Sequence, residues 1–261
     1  MSNEFDLVDI HFHGSFLDDA SDYFQDLESS RVLPLCVGVD LEDFEECCKR
    51  KALGLHPWWV DSCSEEELNF KIAEFKRLSS AFKHFGEIGL DFSPKYEVSN
   101  NKQILVLEKL IQIIMDSDIV KSGFKSCVSL HSFKAEMCVI KILQKFDAFR
   151  KLNIIFHSFS GSQEALDRST DLGAYFSFSL RNLKTKKIKD YIQKIPLVQL
   201  MIESDLPKEA HNNNLKANEY KEILEETLLD LYELRRNKDK IGFESFRFKI
   251  SNNSILRLNG E

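Results

Sequence analysis

Residues 7–14 read Leu7-Val8-Asp9-Ile10-His11-Phe12-His13-Gly14. The stretch starts as a short apolar run of strand type and ends in His-Phe-His-Gly. A doubly wound open sheet usually places a glycine-rich turn after its first strand, and this strand ends in histidines instead. Seven more strand-type stretches follow, at 33–39, 52–56, 84–90, 127–131, 153–157, 174–179 and 197–203. Most are short and continuously apolar, as expected of strands buried on both faces of a parallel sheet. Amphipathic helical patterns fill the gaps between them. Eight strand–helix units in 261 residues predict a closed (β/α)8 barrel, a TIM barrel of the α/β class.

The helical segments carry their own signals. Ser64 with Glu67 forms a capping box, and Leu68, Ile72, Phe75, Leu78 and Phe82 follow at helical spacing. Further helices are expected over 17–27, from Asp40 through Leu41, Phe44 and Cys47 or Cys48, along Ile104–Ile114, and along Ala135–Phe146. Ser160 opens another that Gly173 stops, 182–194 forms a weaker one, and Tyr220–Leu231 marks a long last helix. No linker or repeat divides the chain, so 1–261 reads as one domain. Residues 208–215, with three successive asparagines, read as a loop. Residues 241–261 are poorly patterned and read as a C-terminal extension, covering the barrel or loose.

Composition narrows the function classes. Hydrophobic residues make up 43% and charged residues 30%, a folded and not a disordered balance. No apolar run reaches the length of a membrane span, and the N-terminus has no signal-type core. The net charge of −7 lacks the basic bias of a protein that holds duplex DNA by bulk attraction. The six cysteines contain no CxxC pair and read as reduced core thiols of a cytoplasmic protein.

The chemistry gathers at strand ends. His11 and His13 lie two apart at the end of the first strand, so they point to one side. Glu87 lies in the fourth strand, His131 ends the fifth, His157 ends the sixth, and Asp205 follows the eighth. In a barrel of this kind the active site is built at that face. Four imidazoles and two carboxylates are too many for one catalytic zinc, and they suffice for two divalent ions (Zn, Mn or Mg) if one carboxylate bridges them. Glu87, on the middle strand between Gly86 and Gly89, is the natural bridge. Glu87 and Asp205 are also the candidate catalytic carboxylates, with Asp205 able to accept a proton from water. Two such ions outweigh the two carboxylates, so an anionic substrate would be drawn to the site despite the acidic chain.

On these residues the chain resembles the TatD family of metal-dependent hydrolases, within the wider amidohydrolase-like barrels. The matching segments are Asp9-Ile10-His11-Phe12-His13, Gly54-Leu55-His56-Pro57-Trp58, Gly86-Glu87-Ile88-Gly89-Leu90-Asp91, the strand ending at His131, His157-Ser158-Phe159-Ser160-Gly161 and Glu203-Ser204-Asp205-Leu206-Pro207. The resemblance implies a divalent-metal hydrolase, in many members a nuclease that trims DNA from its 3′ end. It implies one metal on His11, His13, Glu87 and Asp205 and a second on Glu87, His131 and His157. Its implied partner is DNA, single-stranded or frayed at the 3′ end, with no membrane and no obligate protein partner. Three positions depart from the family pattern. Phe133 stands where an arginine is common. Ala217-Asn218-Glu219-Tyr220 replaces Arg-Asn-Glu-Pro. Of two usual glutamines in the helix before the fifth strand, only Gln103 is clear.

Four residues read as supporting groups or substrate contacts. Asp9 shares the side of His11 and His13 by strand parity and is placed either to fix a ligand imidazole or to form an ion pair at the amino-terminal floor of the barrel. His56 faces the same mouth and could meet a phosphate. Glu203 could orient a ligand or water, and Asp91 could anchor the loop after Glu87. Trp58, Trp59 or Phe92 could stack a terminal base. His84 reads as a surface residue. The basic run Arg181, Lys184, Lys186, Lys187, Lys189 and Lys194 reads first as a solvated helix face. Two alternatives to a phosphodiesterase stand: a binuclear amide or ester hydrolase, and a non-catalytic metal-binding barrel.

Overall fold

A computed structural model describes residues 5–17, 20–42, 48–96, 99–206 and 216–261. Eight strands run in sequence order around one parallel sheet: β1 (Leu7–Phe12), β2 (Val32–Val37), β3 (Lys51–Leu53), β4 (His84–Asp91), β5 (Cys127–Phe133), β6 (Asn153–Phe156), β7 (Tyr175–Phe178) and β8 (Leu200–Ile202). The ring closes at the strand ends, where Asp205 N–H donates to the His11 carbonyl at 3.1 Å and His13 N–H donates to the Leu206 carbonyl at 2.8 Å. The chain is therefore the (β/α)8 barrel that the alternation predicts.

Helices alternate with the strands: α1 (Ala20–Ser29), α2 (Pro57–Ser62), α3 (Glu65–Leu78), α4 (Asn100–Asp116), α5 (Asp118–Lys121), α6 (Glu136–Lys145), α7 (Ala148–Lys151), α8 (Gln163–Asp171), α9 (Lys186–Lys194), α10 (Ala217–Asp239) and α11 (Phe243–Leu258). The Ser64–Glu67 capping box forms as expected. Two local expectations shift. The cap of α8 is Ser162, whose hydroxyl accepts from Ala165 N–H. The 182–194 segment splits, because Thr185 caps α9 after a short 3-10 turn. The helix expected from Asp40 falls largely on 43–47, which lie outside the described residues, as does the 208–215 loop.

Side chains inside the ring form a small apolar cluster: Val8, Ile10, Leu33, Leu35, Val37, Ala52, Cys127, Ile155 and Met201. Leu258, at the end of α11, joins this cluster and stoppers the amino-terminal end of the barrel. Residues 241–261 are therefore not loose. Asn253 Nδ2 donates to the Leu197 and Leu200 carbonyls at 2.7 and 2.9 Å, and the Ser251 hydroxyl donates to the Asp6 carbonyl. These buried polar contacts explain the poor patterning, since a helix face that bonds backbone carbonyls at the barrel floor carries no clean apolar stripe. Outside the ring, a larger cluster that includes Phe75, Phe85, Phe156, Phe176 and Tyr220 joins strands to helices.

Three buried residues differ from their sequence reading. His84 is buried, with Nδ1 accepting from Cys127 N–H at 3.3 Å. Cys36 and Cys48 are paired as a disulfide across 12 residues, against the expectation of reduced thiols throughout. Cys63, Cys127 and Cys138 are free. No helix among the described residues is long and apolar enough to cross a membrane.

Candidate metal centre

Glu87 is the hub. The ladder between β4 and β5 shifts between Phe85 and Ile88, and this bulge turns Glu87 into the ring. Gly38, just past β2, accepts Glu87 N–H at 2.8 Å. Gly89 has φ +152°, and a Cβ there would run into the His131 carbonyl, so only glycine lets β4 approach β5 this closely. The Glu87 side chain is buried at 4% exposure.

Its two oxygens face different histidines. Oε2 lies 3.4 Å from His11 Nε2 and 3.9 Å from His13 Nε2. Oε1 lies 2.8 Å from His131 Nδ1, 3.0 Å from His157 Nε2 and 3.3 Å from His56 Nε2. Asp205 Oδ1 stands 3.6 Å from His13 Nε2. His11, His13 and Asp205 could together hold one cation, and so could His56, Glu87 and His131. A third such group is His11, His157 and Glu203. The six residues expected as ligands are thus brought together, with His56 and Glu203 beside them.

Four of the rings turn one nitrogen toward Glu87, and three of these, on His11, His56 and His131, have the other hydrogen-bonded from behind. His11 Nδ1 is 2.8 Å from the Ser129 hydroxyl. His56 Nδ1 accepts from Trp58 N–H at 3.2 Å, because His56 is also the N-cap of α2. His131 Nε2 is 3.2 Å from Asp91 Oδ2, and His157 Nδ1 faces Glu203 Oε2 at 3.6 Å. The groups behind His11 and His131 can set the tautomer and aim of metal-ligating imidazoles, whereas neutral His56, whose Nδ1 accepts, carries its proton on Nε2 toward Glu87. The donor set, buried imidazole nitrogens around carboxylate oxygens, suits divalent transition ions. His11 and His13 also point their Nε2 atoms at each other across 3.3 Å, a spacing that a shared cation satisfies.

Burial and charge divide the titrating groups. Burial pushes His11 and His56 down to about 4, which keeps both rings neutral donors at neutral pH. Burial acts to raise Glu87, but His56, His157 and His11 outweigh it and hold the carboxyl well below its usual range. Burial lowers His131, yet hydrogen bonds to Asp91 and Glu87 more than restore it. His157 is likewise lifted, well above its ordinary value, by Glu87 and Glu203.

Asp9 is a correction. The ladder between β1 and β2 shifts between Asp9 and Phe12, so strand parity fails there. Among the described residues, Asp9 makes no hydrogen bond to an imidazole ring. It accepts from His11 N–H at 2.9 Å, from Ser204 N–H at 3.1 Å, from the Ser204 hydroxyl and from Tyr220 OH at 2.7 Å. It therefore ties β1 to the end of β8 and to α10, and burial pushes its carboxyl up to about 7. Tyr220, one of the departures from the family pattern, supplies a donor that proline could not. Gln103 grips the backbone of Asp91, accepting its N–H at 2.8 Å and donating to its carbonyl at 3.1 Å. Glu203 accepts from Ser158 N–H and the Ser177 hydroxyl. The sequence reading missed Ser129, although it lies two residues before His131 and so on the same side of β5.

A parallel barrel whose carboxyl-end rim carries imidazoles and acids around one shared glutamate is a metal-dependent hydrolase scaffold. The family model described as TatD related DNase matches residues 8–254. The chain belongs to this family. It is 24% identical over 189 residues to the deoxyribonuclease Tat-D of Schizosaccharomyces pombe, a match that takes in 66% of this chain and 58% of that protein. It is 30% identical over 197 residues to the uncharacterized metal-dependent hydrolase YabD of Bacillus subtilis, covering 70% of this chain and 69% of that one. The crystal structure of the TatD homolog YjjV from Escherichia coli shares the fold with a TM-score of 0.69 at 20% identity, over 98% of both chains.

Proposed function

We propose that this chain, over 1–261 as one catalytic barrel, is a two-cation phosphodiesterase that trims DNA from single-stranded or frayed 3′ ends. His11, His13, Asp205 and Glu87 Oε2 would hold one divalent cation. Glu87 Oε1, His131 and His157 would hold the second, with His56 in reach of it. The supporting observation is the division of the Glu87 oxygens between two histidine groups, 3.4 Å from His11 on one side and 2.8 Å from His131 on the other. When bound, such a cation pair polarises a phosphoryl oxygen and makes water more acidic.

The chain's own residues do the rest. The Ser129 hydroxyl and Asp91 bond the outer nitrogens of His11 and His131, so the inner ones keep their aim. Asp205 takes the proton of the attacking water on a carboxylate oxygen. Burial of the set keeps bulk water from competing for the donors.

The test is cleavage of a 3′-labelled single strand beside a panel of esters and amides, titrated with Mg²⁺, Mn²⁺ or Zn²⁺. Glu87→Ala and His131→Ala are expected to abolish turnover while circular dichroism stays native. Full metal-dependent activity in either variant overturns the assignment. Turnover of amides or esters without DNA cleavage moves it to carbonyl chemistry.

A further inference from the structure

Few large apolar side chains are exposed among the described residues, and two of them stand beside the metal centre. Trp58 is 51% exposed and Phe133 is 41% exposed. Trp58 is held rigidly for a half-exposed ring. Its Nε1–H donates to Asp91 Oδ2 at 2.7 Å, and its ring meets His56 and His131 edge-on with centroids 4.4 and 6.0 Å away. Tyr96 stacks on it at 5.9 Å. Phe133 ends β5 two residues after His131, and so on the same side of the strand. It pairs in register with Asp91, and its carbonyl accepts Phe92 N–H at 2.9 Å. The Trp58 ring is thus anchored at Asp91, the residue that backs His131, and the Phe133 backbone is paired beside that same residue.

Cations flank the pair. Lys134 Nζ lies 5.7 Å from the Phe133 ring centroid, and Lys95 Nζ lies 4.8 Å from that of Tyr96. Exposed rings with ammonium groups nearby, one over Phe133 and one over the buried Tyr96 that stacks on Trp58, match the needs of an unpaired nucleotide, whose base offers a π-face and whose phosphate offers charge. A base inside a duplex is stacked on both faces and cannot offer one. At position 133 the rim offers an exposed ring face and no charge of its own.

We infer that Trp58 and Phe133 form a stacking subsite for the unpaired base next to the scissile phosphodiester, with Lys95 and Lys134 meeting its phosphates. The inference rests on the nuclease reading and adds the feature that would select single strands over paired ends.

Phe133 is the residue to test, because Trp58 also supports Asp91. The full-length protein is titrated, at one fixed salt concentration, with a labelled oligothymidylate and with the same strand carrying abasic 3′-terminal nucleotides. Binding is read by fluorescence anisotropy and cleavage is followed in parallel. Phe133→Ala is expected to weaken binding of the base-bearing strand at least about fivefold, the lower end of what one base on one ring supplies. The abasic strand is expected to change by less than about twofold, and Phe133→Tyr to restore binding. Equal loss on both strands, or no loss on either, overturns the subsite. An apolar side chain of an amide substrate as the true occupant would also make the two strands behave alike. If Phe133→Ala costs nothing while wild type still cleaves, the subsite fails and the nuclease reading stands. If wild type neither binds nor cleaves either strand, both fail.

Discussion

Replacing His84 by leucine should make the protein less stable at neutral pH and more stable than wild type in acid. His84 opens β4 at the amino-terminal end of the barrel and is 2% exposed. Burial, aided by Arg50 and Lys83, pushes its imidazole down to about 3 from the ordinary 6.5. The unfolded chain therefore binds a proton that the folded one refuses between these two values. The associated stability is fully present above pH 6.5 and is lost as pH falls toward 3. At about 1.4 kcal/mol per pH unit, acidification from 6.5 to 5 costs wild type about 2 kcal/mol at this one group. Leucine removes that titration, but it leaves Cys127 N–H without its side-chain acceptor, at a cost of about 1–3 kcal/mol at every pH. The two stability curves should cross near pH 5, about where these amounts match. Urea unfolding of both proteins at half-unit steps from pH 7.5 to about 4.5 measures the difference directly, because other titrations occur in both and cancel. A difference that stays constant over that range would refute the argument.

Three further outcomes follow from other contacts. Tyr220→Phe removes one donor to the buried Asp9 carboxyl and should cost about 1.5–3 kcal/mol. That corresponds to a drop of roughly 3–10 °C in the melting temperature, and an unchanged melt would count against the β1–α10 tie. Ser129→Ala should fold normally yet bind Mn²⁺ or Zn²⁺ about 10- to 100-fold more weakly by calorimetry, since His11 loses the group behind its ring. Leu258→Ala should open a cavity at the barrel floor and cost about 2–5 kcal/mol in urea unfolding, whereas a loose terminal segment would show no loss.

The strands were legible in the sequence because each is a short apolar run, and the eight structural strands fall on the eight stretches read there. Those runs reflect burial on both faces, a demand that needs no knowledge of neighbours. The donor residues were legible for a related reason: histidines and acids at strand ends stand out against apolar surroundings. What sequence could not reveal depends on contacts between distant segments. Strand parity placed Asp9 beside His11, and a one-residue bulge in β1 turned it toward Tyr220, 211 residues away. The helix α11 hid behind the polar side chains with which it bonds backbone carbonyls at the barrel floor.

By itself, then, the sequence determined the number and order of strands, the barrel class and the kinds of donor at its mouth, because side-chain polarity and spacing act locally. Only the tertiary structure decided which Glu87 oxygen faces which histidines, that Ser129 and Glu203 stand behind the rings, and that Leu258 stoppers the floor. Those facts arise where bulges and ring closure bring remote residues within a few ångströms, and no local pattern carries that information.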